Sequence, residues 1–180
     1  RSSAKIETDF GGFSSSNTML RIRQAYVNLD WGKSAVLVGI TWHPLFGAVM
    51  PDVLNLSTGA PFQPFNRSPQ IRYQYKANSR VQLTASVLWQ LQYLSSGPKG
   101  MSEDYIKNSC IPEMFVGADF TPADGWLMGL GAHMISLKPR TSTEWKEQTF
   151  KVNERMTAFS YEAHLKYSGR NYTFAAKTLM

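Results

Sequence analysis

A chain of 180 residues with 19 Lys and Arg against 13 Asp and Glu carries a formal charge of +6 at a mean hydropathy of −0.28. No window approaches the ~18 consecutive apolar residues of a transmembrane helix, so helical membrane architecture is excluded. The basic residues are spread singly, with no zinc-finger, helix-turn-helix or RNP-like pattern, which sets nucleic acid aside as a partner. The one cysteine, Cys110, can close no intrachain disulfide.

The chain reads as all-β. In order, alternating segments run over Ala4–Phe10, Met19–Trp31, Ala35–His43, Pro69–Lys76, Arg80–Leu94, Ile111–Thr121, Trp126–Lys138, Val152–Ser168 and Asn171–Met180. Period-two alternation puts successive side chains on opposite faces of a strand. Met19–Trp31 breaks parity: Leu20 and Ile22 are apolar at even positions, whereas Val27, Leu29 and Trp31 are odd. A β-bulge near Gln24–Ala25 reconciles them and turns both Arg21 and Arg23 inward, away from the apolar face. The segment "RVQLTASVLWQLQYL", Arg80–Leu94, separates Val81, Leu83, Ala85, Val87, Trp89, Leu91 and Tyr93 from Arg80, Gln82, Thr84, Ser86, Leu88, Gln90 and Gln92. Strands in soluble domains average about 5–6 residues, while a tilted strand crossing a bilayer needs about 9–11.

The connections alternate in length. Tight turns stand at Gly32–Ser34, Ala77–Ser79, Pro122–Gly125 and Gly169–Arg170, with long connections at Gly11–Thr18, Pro44–Ser68, Ser95–Cys110 and Pro139–Lys151. The turn centres Lys33, Asn78, Asp124 and Gly169 are 45, 46 and 45 residues apart. Two long strands and one long loop are therefore the repeating unit. That is the plan of an antiparallel up-and-down transmembrane β-barrel, with short turns at one rim and long loops at the other. Trp31, Tyr75, Phe120, Trp126, Tyr167 and Tyr172 flank the tight turns, where an interfacial girdle places aromatic rings. There is no start methionine, and "NYTFAAKTLM" stops inside an alternating segment. Residues 1–180 are expected to be one β-barrel domain, a fragment amounting to about half of a 16–18-stranded barrel.

With the apolar face toward lipid, the other face lines a lumen. Gln70, Arg72, Gln74 and Lys76 then point inward, as do Gly39, Thr41 and His43, Gly129, Gly131 and His133, and Ser160, Glu162, His164 and Lys166. Arg21, Arg23, Arg72, Arg80, Lys76, Lys166 and Lys177 outnumber Asp30, Asp119, Glu154 and Glu162 there. Charged rings in a pore select by sign, and arginine can hold a carboxylate bidentately, so the expected preference is for anions. The alternative for each arginine is an ion pair that braces the wall. The connection "PLFGAVMPDVLNLSTGAPFQPFNRSPQ" is apolar for an exposed loop. It is expected either to fold into the lumen as a constriction, with Arg67 at its end leading into the Arg72 strand, or to cover a subunit interface.

"KIETDF" (Lys5–Phe10), "LRIRQAYV" (Leu20–Val27), "VLVGITW" (Val36–Trp42) and "NRSPQIRYQY" (Asn66–Tyr75) together resemble the DcaP-like porins of Gram-negative outer membranes. The resemblance covers roughly the first eighty residues. It implies a trimeric, sixteen-stranded porin in contact with outer-membrane lipid and lipopolysaccharide, admitting small anionic solutes such as dicarboxylates. Arg21, Arg23, Arg67 and Arg72 match its arginine motifs. A chain carrying only part of a barrel leaves later constriction residues unplaced. The pore-lining set expected overall is Arg21, Arg23, Arg67, Arg72, Arg80, Lys76, His43 and His133, with no catalytic residue, cofactor or metal. No HExxH or GxSxG motif is present, so an outer-membrane hydrolase is not expected. The rival readings are the barrel of a plugged transporter and a structural or partner-docking barrel of an envelope complex.

Overall fold

Nine long strands form one antiparallel sheet in a computed structural model that describes residues 1–10, 20–47, 49, 65–91 and 93–180. They are β1 (Ser2–Phe10), β2 (Leu20–Asp30), β3 (Ser34–Trp42), β4 (Arg67–Lys76), β5 (Val81–Leu88), β8 (Glu113–Phe120), β9 (Trp126–Leu137), β12 (Met156–Ser168) and β13 (Thr173–Leu179). Each pairs with the next in that order, so the sheet is an unbroken up-and-down meander. The long connections carry smaller elements that alternation did not reveal. These are the two-residue strands β6 (Ser96–Gly97) and β7 (Gly100–Met101), the helix α1 (Asp104–Ser109), and a hairpin of β10 (Ser142–Trp145) with β11 (Gln148–Lys151).

Local chemistry fixes the tight turns. After β2, Asp30 Oδ1 accepts from Gly32 N at 2.6 Å and Trp31 N donates to Ser34 O. After β4, Asn78 Oδ1 accepts from both Arg80 N and Val81 N, the side chain standing in for a backbone acceptor. The parity change in β2 is a bulge: the register passes from Glu7↔Gln24 to Thr8↔Ile22, leaving Arg23 as the extra residue. It falls one residue before the expected Gln24–Ala25.

Two of the expected strands differ most from their expected ranges, and both are shorter. The Arg80–Leu94 segment leaves the sheet after Leu88, where its pairing with both β4 and β8 stops. Beyond it Gln90 folds back on Ser95, donating from Nε2 to Ser95 Oγ and accepting from Ser95 N. Trp89 packs instead against Tyr105, Ile106 and Leu137 under α1. The Val152–Ser168 segment begins only at Met156, paired with Leu137 where β9 ends, while Val152 N donates to the Thr141 carbonyl beside the hairpin. Glu154 accordingly lies outside the sheet, with its side chain 79% exposed and Arg140 3.9 Å away, and is not a lumen residue.

The burial of the sheet is inverted with respect to a water-soluble protein. Ile71, Tyr73, Val87, Leu130, Phe159 and Tyr161 are exposed, whereas Gln24, Thr41, Gln70, Ser86, Glu162 and His164 are buried. The polar face is knitted across strands: Gln24 Nε2 donates to Glu7, Thr41 Oγ1 donates to Gln24 Oε1 at 2.8 Å, and Gln70 Nε2 donates to the Thr41 and Trp42 carbonyls. The chain leaving β3 folds onto this face as a 3₁₀ turn, Pro44–Phe46. Leu45 packs there with Leu88 and Phe115. Lys177, on β13 at the far end of the strand order, donates to the Leu45 and Phe46 carbonyls, so the polar face curls around the turn.

Candidate functional site: the polar face

Three groups of side chains divide the polar face along its length. At the tight-turn end, Lys76, Arg80, Gln82 and Asp119 border one cavity of about 440 Å³. In the middle, Arg72, Gln74, Gln82, Thr84, Asp119, Glu162 and His164 border another of about 250 Å³, closed on one side by Pro44 and Gly47 of the 3₁₀ turn. Beside β2, Arg21, Arg23 and Arg67 border a third of about 190 Å³.

The arginines differ in how their charge is met. Arg21 makes a two-pronged contact with Asp9, Nε to Oδ1 at 3.0 Å and Nη2 to Oδ2 at 2.7 Å. Arg23 Nη1 donates to the same Oδ2 at 2.9 Å. Arg21 pairs directly with Asp9 in register, Arg23 two residues on lies on the same side, and the bulge at Arg23 changes the parity between this pair and the rest of β2. Arg72 has no carboxylate contact among the described residues. Its Nε and Nη2 donate to Gln70 Oε1, and Nη2 also donates to the Trp42 carbonyl at 2.7 Å. Arg67 stands one residue out of phase with Gln70 and Arg72, at the register position opposite Trp42. Its guanidinium lies 3.9 Å over the Trp42 ring, and its Nε is buried with no hydrogen-bond partner among the described residues.

His164 bridges two acids, with Nε2 3.2 Å from Asp119 and Nδ1 3.2 Å from Glu162. Room for that ring comes from the opposite strand: His164 and Glu162 pair with Gly129 and Gly131. A Cβ on Gly129 would meet the His164 ring, and one on Gly131 would meet Phe115 and Glu162.

His43 and His133, expected as separate lumen residues, come together around Glu113. His133 Nε2 is 3.1 Å and His43 Nε2 3.4 Å from Glu113 Oε2, and all three residues are buried. His43 Nδ1 accepts from Leu45 N and so caps the 3₁₀ turn. Burial holds the His43 pKa below its usual value, partly opposed by the contact with Glu113. Sequence reasoning singled out the two histidines but missed Glu113. The available signal was parity, since Glu113 opens the strand whose alternate residues Phe115, Gly117 and Asp119 share its face.

The aromatic residues beside the tight turns lie on the opposite, apolar side. Trp31, Tyr75, Phe120, Trp126 and Tyr172 are exposed, and Trp126, Tyr167 and Tyr172 form a chain of rings with centroids 4.7 and 5.7 Å apart.

Compared with known proteins, the chain finds no significant match among family models, curated proteins or solved structures. The functional reading therefore rests on the geometry above. The loop expected to constrict a lumen or cover an interface lies mostly outside the described residues, at 48 and 50–64; the part described, 44–47, sits on the polar face.

Proposed function

We propose that this chain is part of an outer-membrane porin whose lumen, lined by the polar face, passes small anionic solutes such as dicarboxylates by diffusion. The observation that carries the reading is the inversion of burial across nine consecutive antiparallel strands. Water would penalise an apolar face of this extent, and a hydrocarbon layer would not. Two features agree with it: strands of 7–13 residues, near the bilayer-crossing length of about 9–11, and exposed aromatic rings gathered where an interface would lie. Since lipid tolerates no unpaired strand edge, β1 and β13 pair with further strands in the intact barrel, and the resemblance to DcaP-like porins makes that barrel one member of a trimer.

Anion preference follows from charge left unanswered. Asp9 already holds Arg21 and Arg23, so these two brace the wall as well as line it. Among the described residues Arg72 and Arg67 make no ion pair: Arg72 donates to Gln70 and the Trp42 carbonyl, and Arg67 lies over the Trp42 ring with Glu7 and Asp9 acting on it only through space, so a solute carboxylate could take up donors there. The 3₁₀ turn after β3 narrows the face beside Arg72.

The decisive experiment is conductance of the full-length protein in planar bilayers under a salt gradient. Stepwise conductance with an anion-selective reversal potential is expected, and Arg72→Gln should move that potential toward zero. A protein folded in the membrane that gives no conductance would sink the porin reading and favour a structural barrel.

A further inference from the structure

The three side chains around Glu113 come from segments far apart in sequence. His43 follows β3, Glu113 opens β8, and His133 stands on β9 in register with Phe115. Their three ligand atoms, two imidazole nitrogens and one carboxylate oxygen, lie within 4.8 Å of one another. Tetrahedral zinc with bonds of about 2.0–2.1 Å sets its ligand atoms roughly 3.3–3.4 Å apart. The two nitrogen–oxygen separations here, 3.1 and 3.4 Å, lie close to that length.

Charge points the same way. Glu113 is 5% exposed, and among the described residues its ion-pair partners are the two histidines, with no lysine or arginine. A buried carboxylate is costly unless a cation or metal answers it. Two imidazoles and a carboxylate are a donor set suited to borderline-soft divalent ions. We propose that His43, Glu113 and His133 bind one divalent transition-metal ion of the zinc class, leaving a fourth position to water.

Binding has a local consequence that can be read out. His43 now accepts from Leu45 N at Nδ1, so in the neutral ring the proton sits on Nε2. A metal on Nε2 needs that lone pair, and the proton moves to Nδ1. The ring stays neutral, but the cap on Leu45 is lost. His133 carries no such conflict, because its buried Nδ1 has no partner among the described residues and can hold the proton. The ion would thus tie the His43 side chain to β8 and β9 while loosening the turn that follows it.

The test uses full-length, untagged protein folded in detergent, stripped with chelator and titrated with Co²⁺, whose visible absorption reports ordered coordination. A saturable band at one equivalent, displaced by Zn²⁺, is expected. Its affinity should fall by at least about tenfold in both His133→Gln and Glu113→Gln, and stay unchanged in Lys151→Gln, an exposed residue of the β10–β11 hairpin. Faster exchange of the Leu45 amide on metal addition should accompany it. Absence of the band from folded wild-type protein overturns the proposal, and so does a band that folded His133→Gln retains at wild-type affinity. If Glu113→Gln does not fold, the His133 variant decides alone. No conductance enters the measurement, so its outcome is independent of the porin reading.

Discussion

Gly39 has a φ of +137°, and a Cβ there would run into the Ala25 carbonyl oxygen and Tyr26 on the neighbouring strand. A side chain at such a φ costs about 1–3 kcal/mol before the clash is counted. Gly39→Ala is therefore expected to lower the urea midpoint of the folded protein, followed by heat-modifiable mobility on gels; an unchanged midpoint would mean that β2 and β3 are not so closely apposed. At the same scale, Arg21 and Arg23 could be assigned to the polar face from sequence: being two residues apart they share a side, and the parity change between Ile22 and Val27 demands an extra residue that puts that side with the polar positions. Their shared acceptor Asp9 could not be found that way, since register between β1 and β2 sets it. The His43, Glu113 and His133 group is a sharper case. His133 is 90 residues from His43 in the chain, and nothing local ties them; they meet because the polar face curls and the chain after β3 turns back onto it.

At the scale of a strand, alternation decides which face a substitution touches. Leu130, in the middle of β9, is 68% exposed and belongs to the apolar face. In water, Leu130→Arg at such a site changes stability by no more than about 0.5 kcal/mol. In a bilayer the same change near the midplane costs about 2–4 kcal/mol. The porin reading thus predicts a loss in that larger range, measured by reversible urea unfolding of the protein in lipid vesicles, and a loss near zero would count against lipid contact at β9. The strand that ended early teaches the complementary lesson. Trp89, Leu91 and Tyr93 continue the alternation of β5, yet the strand stops at Leu88: β8 begins at Glu113, the partner of Leu88, and toward β4 one further bond is made, from Trp89 N to the Pro69 carbonyl. Alternation reports what a segment could pair with, and pairing ends where its neighbours turn away.

Over the whole molecule, the exposed rings beside the tight turns define one rim. Trp31 and Trp126 are among them, whereas Trp42 stacks on Phe46 with centroids 4.6 Å apart. In vesicles, variants retaining only Trp31 or only Trp126 should be quenched more strongly by lipids brominated near the headgroup than by lipids brominated near the chain ends. Stronger quenching by the deep label would displace the girdle from the interface. The nine long strands, their antiparallel order, the bulge and the polar and apolar faces were all legible in the sequence, because period-two alternation and turn residues act within a few positions of one another. The small elements in the long connections were not, since the hairpin of β10 and β11 is exposed on every residue but one and α1 is held by Tyr105 and Ile106 packing against Leu137 and Trp89. Which charges are answered, which cavity each arginine borders, and that two histidines share one glutamate were decided only by the tertiary structure. Such contacts depend on register between strands and on the curl of the sheet, and neither leaves a local mark on the chain.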